Sequence, residues 1–86
     1  MTNFHYLEDA MKEIQHVMTY AEEQLIESKR VEPGNPDDFT NAQLQLEQAN
    51  MEVETLLKSA AQEQRDDLFR LQQRIHQLQN KMILGL

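Results

Sequence analysis

Few side chains in this chain could do chemistry, and their spacing does not bring them together. Glu13 and His16 stand three residues apart, the spacing at which a Glu-x-x-His pair aims two ligands from one helix at a di-iron or di-manganese centre. Such a centre needs a second pair on another helix. His76 is preceded at that spacing by Gln73, and an amide is a poor substitute for a carboxylate ligand. The hydroxyls of Thr19, Ser28, Thr40, Thr55 and Ser59 are scattered with no partnering base. Gly34 and Gly85 are the two glycines, so a glycine-rich phosphate loop is impossible. Cysteine is absent, which excludes disulfides, thiol chemistry and thiolate metal ligation. The adjacent carboxylates Glu22/Glu23 and Asp66/Asp67 read as solvated helix surface, with Glu54–Lys58 and Asp66–Arg70 placed as favourable i,i+4 pairs. No catalytic residue, cofactor or metal site is expected.

What the chain does carry is an apolar rhythm. Phe4, Leu7, Met11, Ile14, Met18, Ala21 and Leu25 follow at alternating intervals of three and four, the a/d seam of a helix that is stable only when the seam is covered by other helices. In that register Glu13 and His16 fall at the outward positions c and f, and His5 at b. Thr2 or Asn3 can cap this first helix. It is predicted to run to about Val31, where Glu32-Pro33-Gly34 offers a stop, with Gly34 free to turn left-handed. Asn35-Pro36-Asp37-Asp38 reads as a restart: a capping amide, a proline suited to the first helical position, and two carboxylates at the positive end of the helix dipole. So short a connection folds the second helix back against the first.

The second seam is Phe39, Ala42, Leu46, Ala49, Val53, Leu56 and Ala60; the third is Leu68, Leu71, Ile75, Leu78 and Met82. Their registers disagree. A turn near Lys58–Ala61 would reset the count, with Ser59 and Gln62 as a capping box. A continuous helix with a four-residue stutter would also reconcile them, and the helix-forming run Ala60–Gln64 supports it. The turn produces an all-α antiparallel three-helix bundle with helices near 3–31, 36–58 and 60–84, one domain over residues 1–86. The alternative is a helical hairpin whose second helix, about 70 Å long at 1.5 Å per residue, leaves its far half uncovered and must dimerise into a four-helix-type bundle. Three rods of similar length cover one another, which favours the turn.

The net charge is −7. Residues 1–61 hold 4 Lys/Arg against 12 Asp/Glu, while residues 62–86 hold 4 against 3. An acidic surface repels phosphate backbones and anionic lipid, and no window reaches the roughly 18–20 apolar residues of a membrane span. Nucleic acid and membrane are not expected partners. Met1–Asp9 has neither a basic region nor a long apolar run, so no signal peptide is expected and the location is read as cytoplasmic.

Some apolar residues lie off the seams. Leu44 and Met51 share position f of the second helix, Tyr6 and Tyr20 share c of the first, and Phe69 and Ile83 share b of the last. Leu84 and Leu86 follow in the terminal Met82-Ile83-Leu84-Gly85-Leu86. Such second stripes mark either a wide core face or a surface covered by a partner or a second copy.

YAEEQL at Tyr20–Leu25, NAQLQLEQA at Asn41–Ala49 and LQNKMIL at Leu78–Leu84, with their spacing, resemble the YtzC-like family of small uncharacterised proteins from Bacillus-type bacteria over nearly the whole chain. None of the three is a chemical motif, and the resemblance implies no activity and no site. In that family the stretch matching Ser59–Gln62 is richer in Ser, Asn and Asp, which implies a turn; Ala60 and Ala61 depart from it. Sporulation-type aspartyl-phosphate phosphatases carry a Ser-x-Glu-Leu-Asp motif that this chain lacks, and type VII secretion substrates a Trp-x-Gly turn, where this chain has no Trp. The expected function is a non-catalytic protein–protein interaction or adaptor module that self-associates as a homodimer. The alternative is a small acidic regulator that sequesters a basic DNA-binding or signalling protein.

Overall fold

The computed structural model describes residues 4–32 and 34–85, with side chains from Tyr6 onward. The chain forms three helices, α1 (Phe4–Ser28), α2 (Pro36–Leu57) and α3 (Gln62–Leu84), and every pair is in contact. Ascending residues of one helix meet descending residues of the next. The Tyr20 hydroxyl faces the Asp38 carbonyl across α1 and α2, and Asn50 meets Gln72 and His76 across α2 and α3. Successive helices are therefore antiparallel, with α2 in the middle. The Cα envelope measures 50 × 19 × 14 Å, too short for a single 70 Å rod. The three-helix arrangement is the one adopted, and the continuous second helix is not.

The seams close on one another. Leu7, Ile14, Met18, Ala21 and Leu25 of α1, Ala42, Leu46, Ala49, Val53 and Leu56 of α2, and Leu68, Leu71, Ile75, Leu78 and Met82 of α3 are buried. Ala10 alone joins them from outside the seams, at position g. Met11 and Phe39, both seam positions, are half-buried at the rim. Among the described residues no polar or charged side chain is buried, so apolar burial, roughly 1.5–3 kcal/mol for each large side chain, is the main cohesive term.

The ends show what stops each helix. Asn35 is the cap of α2: its Oδ1 accepts the Asp37 N–H at 2.8 Å, Pro36 occupies the first turn, and Asp37 and Asp38 stand at the positive pole. The first helix ends at Ser28, about three residues before Val31. Lys29 and Arg30 donate to Ile26 and Glu27 in tightened i→i−3 bonds, and the Ser28 hydroxyl donates to the Leu25 carbonyl at 2.7 Å. Residues 29–32 are all exposed, Val31 fully so, and no burial offsets the entropy of ordering another turn. Gly34 does not turn left-handed; among the described glycines only Gly85 has positive φ, at 74°. Gly85 closes α3 in the left-handed conformation, its N–H donating to the Lys81 carbonyl. The caps expected at Thr2 or Asn3 and the stop expected at Pro33 lie outside the described residues.

The reset between α2 and α3 falls two residues later than the Ser59–Gln62 box. Ser59 closes off the end of α2 instead of opening α3: its N–H donates to the Leu56 carbonyl at 3.2 Å. Ala61 is the cap of α3, in extended conformation, and the Gln64 Oε1 accepts the Ala61 N–H at 3.3 Å. Alanine has no oxygen to return the bond, so half of the capping box forms. Neither expected i,i+4 ion pair forms. Arg70 meets Asp67 at 3.3 Å instead of Asp66, and Lys58 lies beyond the helical end of α2.

The absence of cysteine allows single spin labels to be placed freely. Labels at Gln48 and Gln77 are expected below about 25 Å, since packed helix axes lie 8–10 Å apart; a rod would hold them at about 43 Å. Urea denaturation should separate two neighbouring leucines. Leu46→Ala, at a wholly buried side chain, is expected to cost about 2–5 kcal/mol, whereas Leu44→Ala, 54% exposed, should stay below about 1 kcal/mol.

Candidate interaction surface

The side chains with possible chemistry do not converge. Glu13 and His16 are both exposed on α1. Among the described residues no group of three His, Asp or Glu side chains is placed to hold a metal ion. His76 is exposed but engaged: its Nε2 lies 3.0 Å from Asn50 Oδ1, which also accepts from Gln72 Nε2 at 3.4 Å. The acceptor is a carbonyl-type oxygen, so Nε2 must carry the hydrogen. This amide–imidazole cluster ties α2 to α3 at the rim of the core.

A second tie sits at the turn. Arg65 Nη1 donates to the Leu57 carbonyl at 2.6 Å, and the same guanidinium lies 5.7 Å from the centroid of the Phe69 ring. Leu57 is the last residue of α2, where carbonyls lack helical partners and the dipole is negative. A cation from the first turn of α3 thus satisfies the end of α2 and covers one face of Phe69. The reach of Arg65 back across the turn depends on where the turn falls, which spacing alone does not fix.

The off-seam apolar residues sort onto different faces. Leu44 and Met51 form the ridge of α2 opposite the core, each more than half exposed. Phe69 and Ile83 flank the groove between α3 and α2 and are also exposed. Ile83 lines that groove with Gln43, Leu46, Glu47, Gln79 and Asn80, around a cleft of about 310 Å³. Leu84 is exposed beside it at the end of α3. Tyr6 is exposed, whereas Tyr20 packs against the core, its hydroxyl 3.5 Å from the Asp38 carbonyl. Tyr20 therefore extends the core face of α1. Leu86 lies outside the described residues. Ile26 and Val31 are further exposed apolar residues. Ile26 sits at position b and follows from the off-seam rule applied to Phe69; Val31 was hidden by the overlong α1.

Another cleft of about 310 Å³ opens where α1 meets α2, lined by Gln24, Glu27, Ser28, Asn35, Phe39 and Thr40 among others. Its exposed lining is predominantly apolar, and it holds no buried polar group. Among the described residues no helix is long and apolar enough to cross a membrane.

Comparison with known proteins agrees with the likeness carried by Tyr20–Leu25, Asn41–Ala49 and Leu78–Leu84. Residues 1–84 match the family described as "Protein of unknown function (DUF2524)". The chain is 33% identical over 78 residues to the "Uncharacterized protein YtzC" of Bacillus subtilis (strain 168), covering 91% of this chain and 87% of that protein. No solved structure matches.

Arg65→Ala is expected to lower stability by about 1–3 kcal/mol, the range for a charge-assisted hydrogen bond left unmade. Thermal unfolding checks this, with Arg65→Lys retaining part of the loss because lysine keeps the charge but not the planar fork.

Proposed function

We propose that this chain, which belongs to the DUF2524 family, works by contact: a non-catalytic interaction or adaptor module of the cytoplasm that binds another protein. One observation carries the reading. The three seams bury one another, yet Leu44, Met51, Phe69, Ile83 and Leu84 remain about half or more exposed on α2 and α3. Exposed apolar side chains recurring on adjacent helices are surface for a neighbour. Self-association belongs to the proposal in a weak form. The bundle closes its own seams, so a homodimer has only the outer stripes to use.

A second reading is favoured by one feature. Helix α2 carries five carboxylates and no Lys or Arg, which suits a small acidic regulator that sequesters a basic DNA-binding or signalling protein.

Sedimentation of the purified chain should show the 10.1 kDa monomer passing reversibly to dimer only at upper micromolar concentration. A monomer at every concentration would remove self-association. For the partner, tagged chain and a Leu44→Ser/Met51→Ser/Ile83→Ser variant with an unchanged helical spectrum are compared in pull-downs from native cells. The contact reading expects a protein retained by the first and lost by the second; identical captures would sink it.

A further inference from the structure

The charge pattern around the α2 ridge says which kind of partner it fits. Leu44 and Met51 are two helical turns apart, about 10.5 Å at 1.5 Å per residue. Glu47 and Glu54 repeat at the same interval on the α3 side of that ridge and are exposed. Glu47 lines the α2/α3 groove with Ile83. Among the described residues the ion pairs are Arg30–Glu27 and Arg70–Asp67; neither involves a carboxylate of α2. Of the nearby cations of α3, Arg65 is committed to the Leu57 carbonyl and the Phe69 ring, while Arg74 and Lys81 share position g, on the side of α3 away from α2.

The geometry points to a docking site for a cationic amphipathic helix of another protein, laid along the α2/α3 face. Its apolar residues, spaced i, i+4, i+7 and i+11, would cover Leu44 and Met51 along the ridge. Lysines or arginines flanking that stripe would meet Glu47 and Glu54. This is recognition of a helix in a groove, and it deepens the contact reading, on which it rests. A second copy of this chain suits the face less well. Twofold pairing of the ridge sets Glu47 and Glu54 of each copy near their own counterparts, and like charges across an interface oppose association. The few half-exposed apolar side chains also fall well short of the ~800 Å² per partner buried in a standard interface, so the carboxylates must contribute. Nucleic acid is repelled by the same charges.

The test uses the full chain and a synthetic amphipathic peptide of about 18 residues, leucine at i, i+4, i+7 and i+11 and lysine on the flanks. A scrambled peptide of the same composition and a version with glutamate in place of lysine are the controls. Fluorescence anisotropy should show the cationic amphipathic peptide binding at least about tenfold more tightly than either control. Its affinity should fall at least about tenfold between roughly 50 and 500 mM salt. Glu47→Gln/Glu54→Gln and Leu44→Ser/Met51→Ser, at exposed positions that leave the core intact, should each weaken binding by about tenfold or more. No binding, equal binding of the scrambled peptide, or unchanged affinity in either variant overturns the assignment. The sedimentation and pull-down measurements do not depend on this peptide, so the contact reading stands or falls separately.

Discussion

Mutual covering of three apolar seams is the constraint on which the rest of this molecule depends. An 86-residue chain has little interior to spare, and this one has no disulfide. Apart from Ala10, the buried side chains belong to the alternating three-and-four pattern. Each helix alone presents a stripe that water disfavours; three of similar length leave none of those stripes open. Small residues at Ala21, Ala42 and Ala49, all buried, let helix axes approach closely. The short connections and the Asn35 cap follow from the same requirement, because they bring the stripes to the same level.

That economy leaves the polar side chains among the described residues at or near the surface. Nothing polar is buried among the described residues, and Glu13, His16 and His76 lie outside, where solvent competes for them. The asymmetry between the helices is the informative part. Helix α2 carries five carboxylates and no Lys or Arg, whereas the cations of α3 are turned toward the turn, its own surface or α1. A surface divided in this way can discriminate among partners by charge while using few apolar contacts for affinity.

Most of the architecture was legible because it rests on period and punctuation. The seams from Leu7 to Met82 and the restart at Asn35-Pro36 are strong local signals, and the structure realises them. The turn was legible as a register conflict, but its position was not. Ser59 is the better capping residue in isolation, yet its N–H completes the last turn of α2, so the cap moves to Ala61. Tyr20 looked like Tyr6 at position c, and tertiary packing separates them: Tyr20 meets the first turn of α2, and Tyr6 stays exposed. The expected end of α1 at Val31 rested on the Glu32-Pro33-Gly34 stop, whereas the helix ends at Ser28, within a turn of Leu25, its last buried residue. That Ile83 lines the groove between α2 and α3 beside Glu47 depends on how α3 lies on α2, which no spacing within a single helix encodes.

The Asn50–Gln72–His76 cluster has one more consequence. Greasy layers of Leu, Ile, Met and Ala interlock almost as well whether the third rod is laid to the left or to the right of the first two, so such an interior is a weak judge of handedness. The directional amide–imidazole contact reaches α3 from the flank of α2 that carries Asn50, and so favours the hand that lays α3 on that flank. The Asn50 contacts at the rim thus add a preference of hand to an interior that has little of its own.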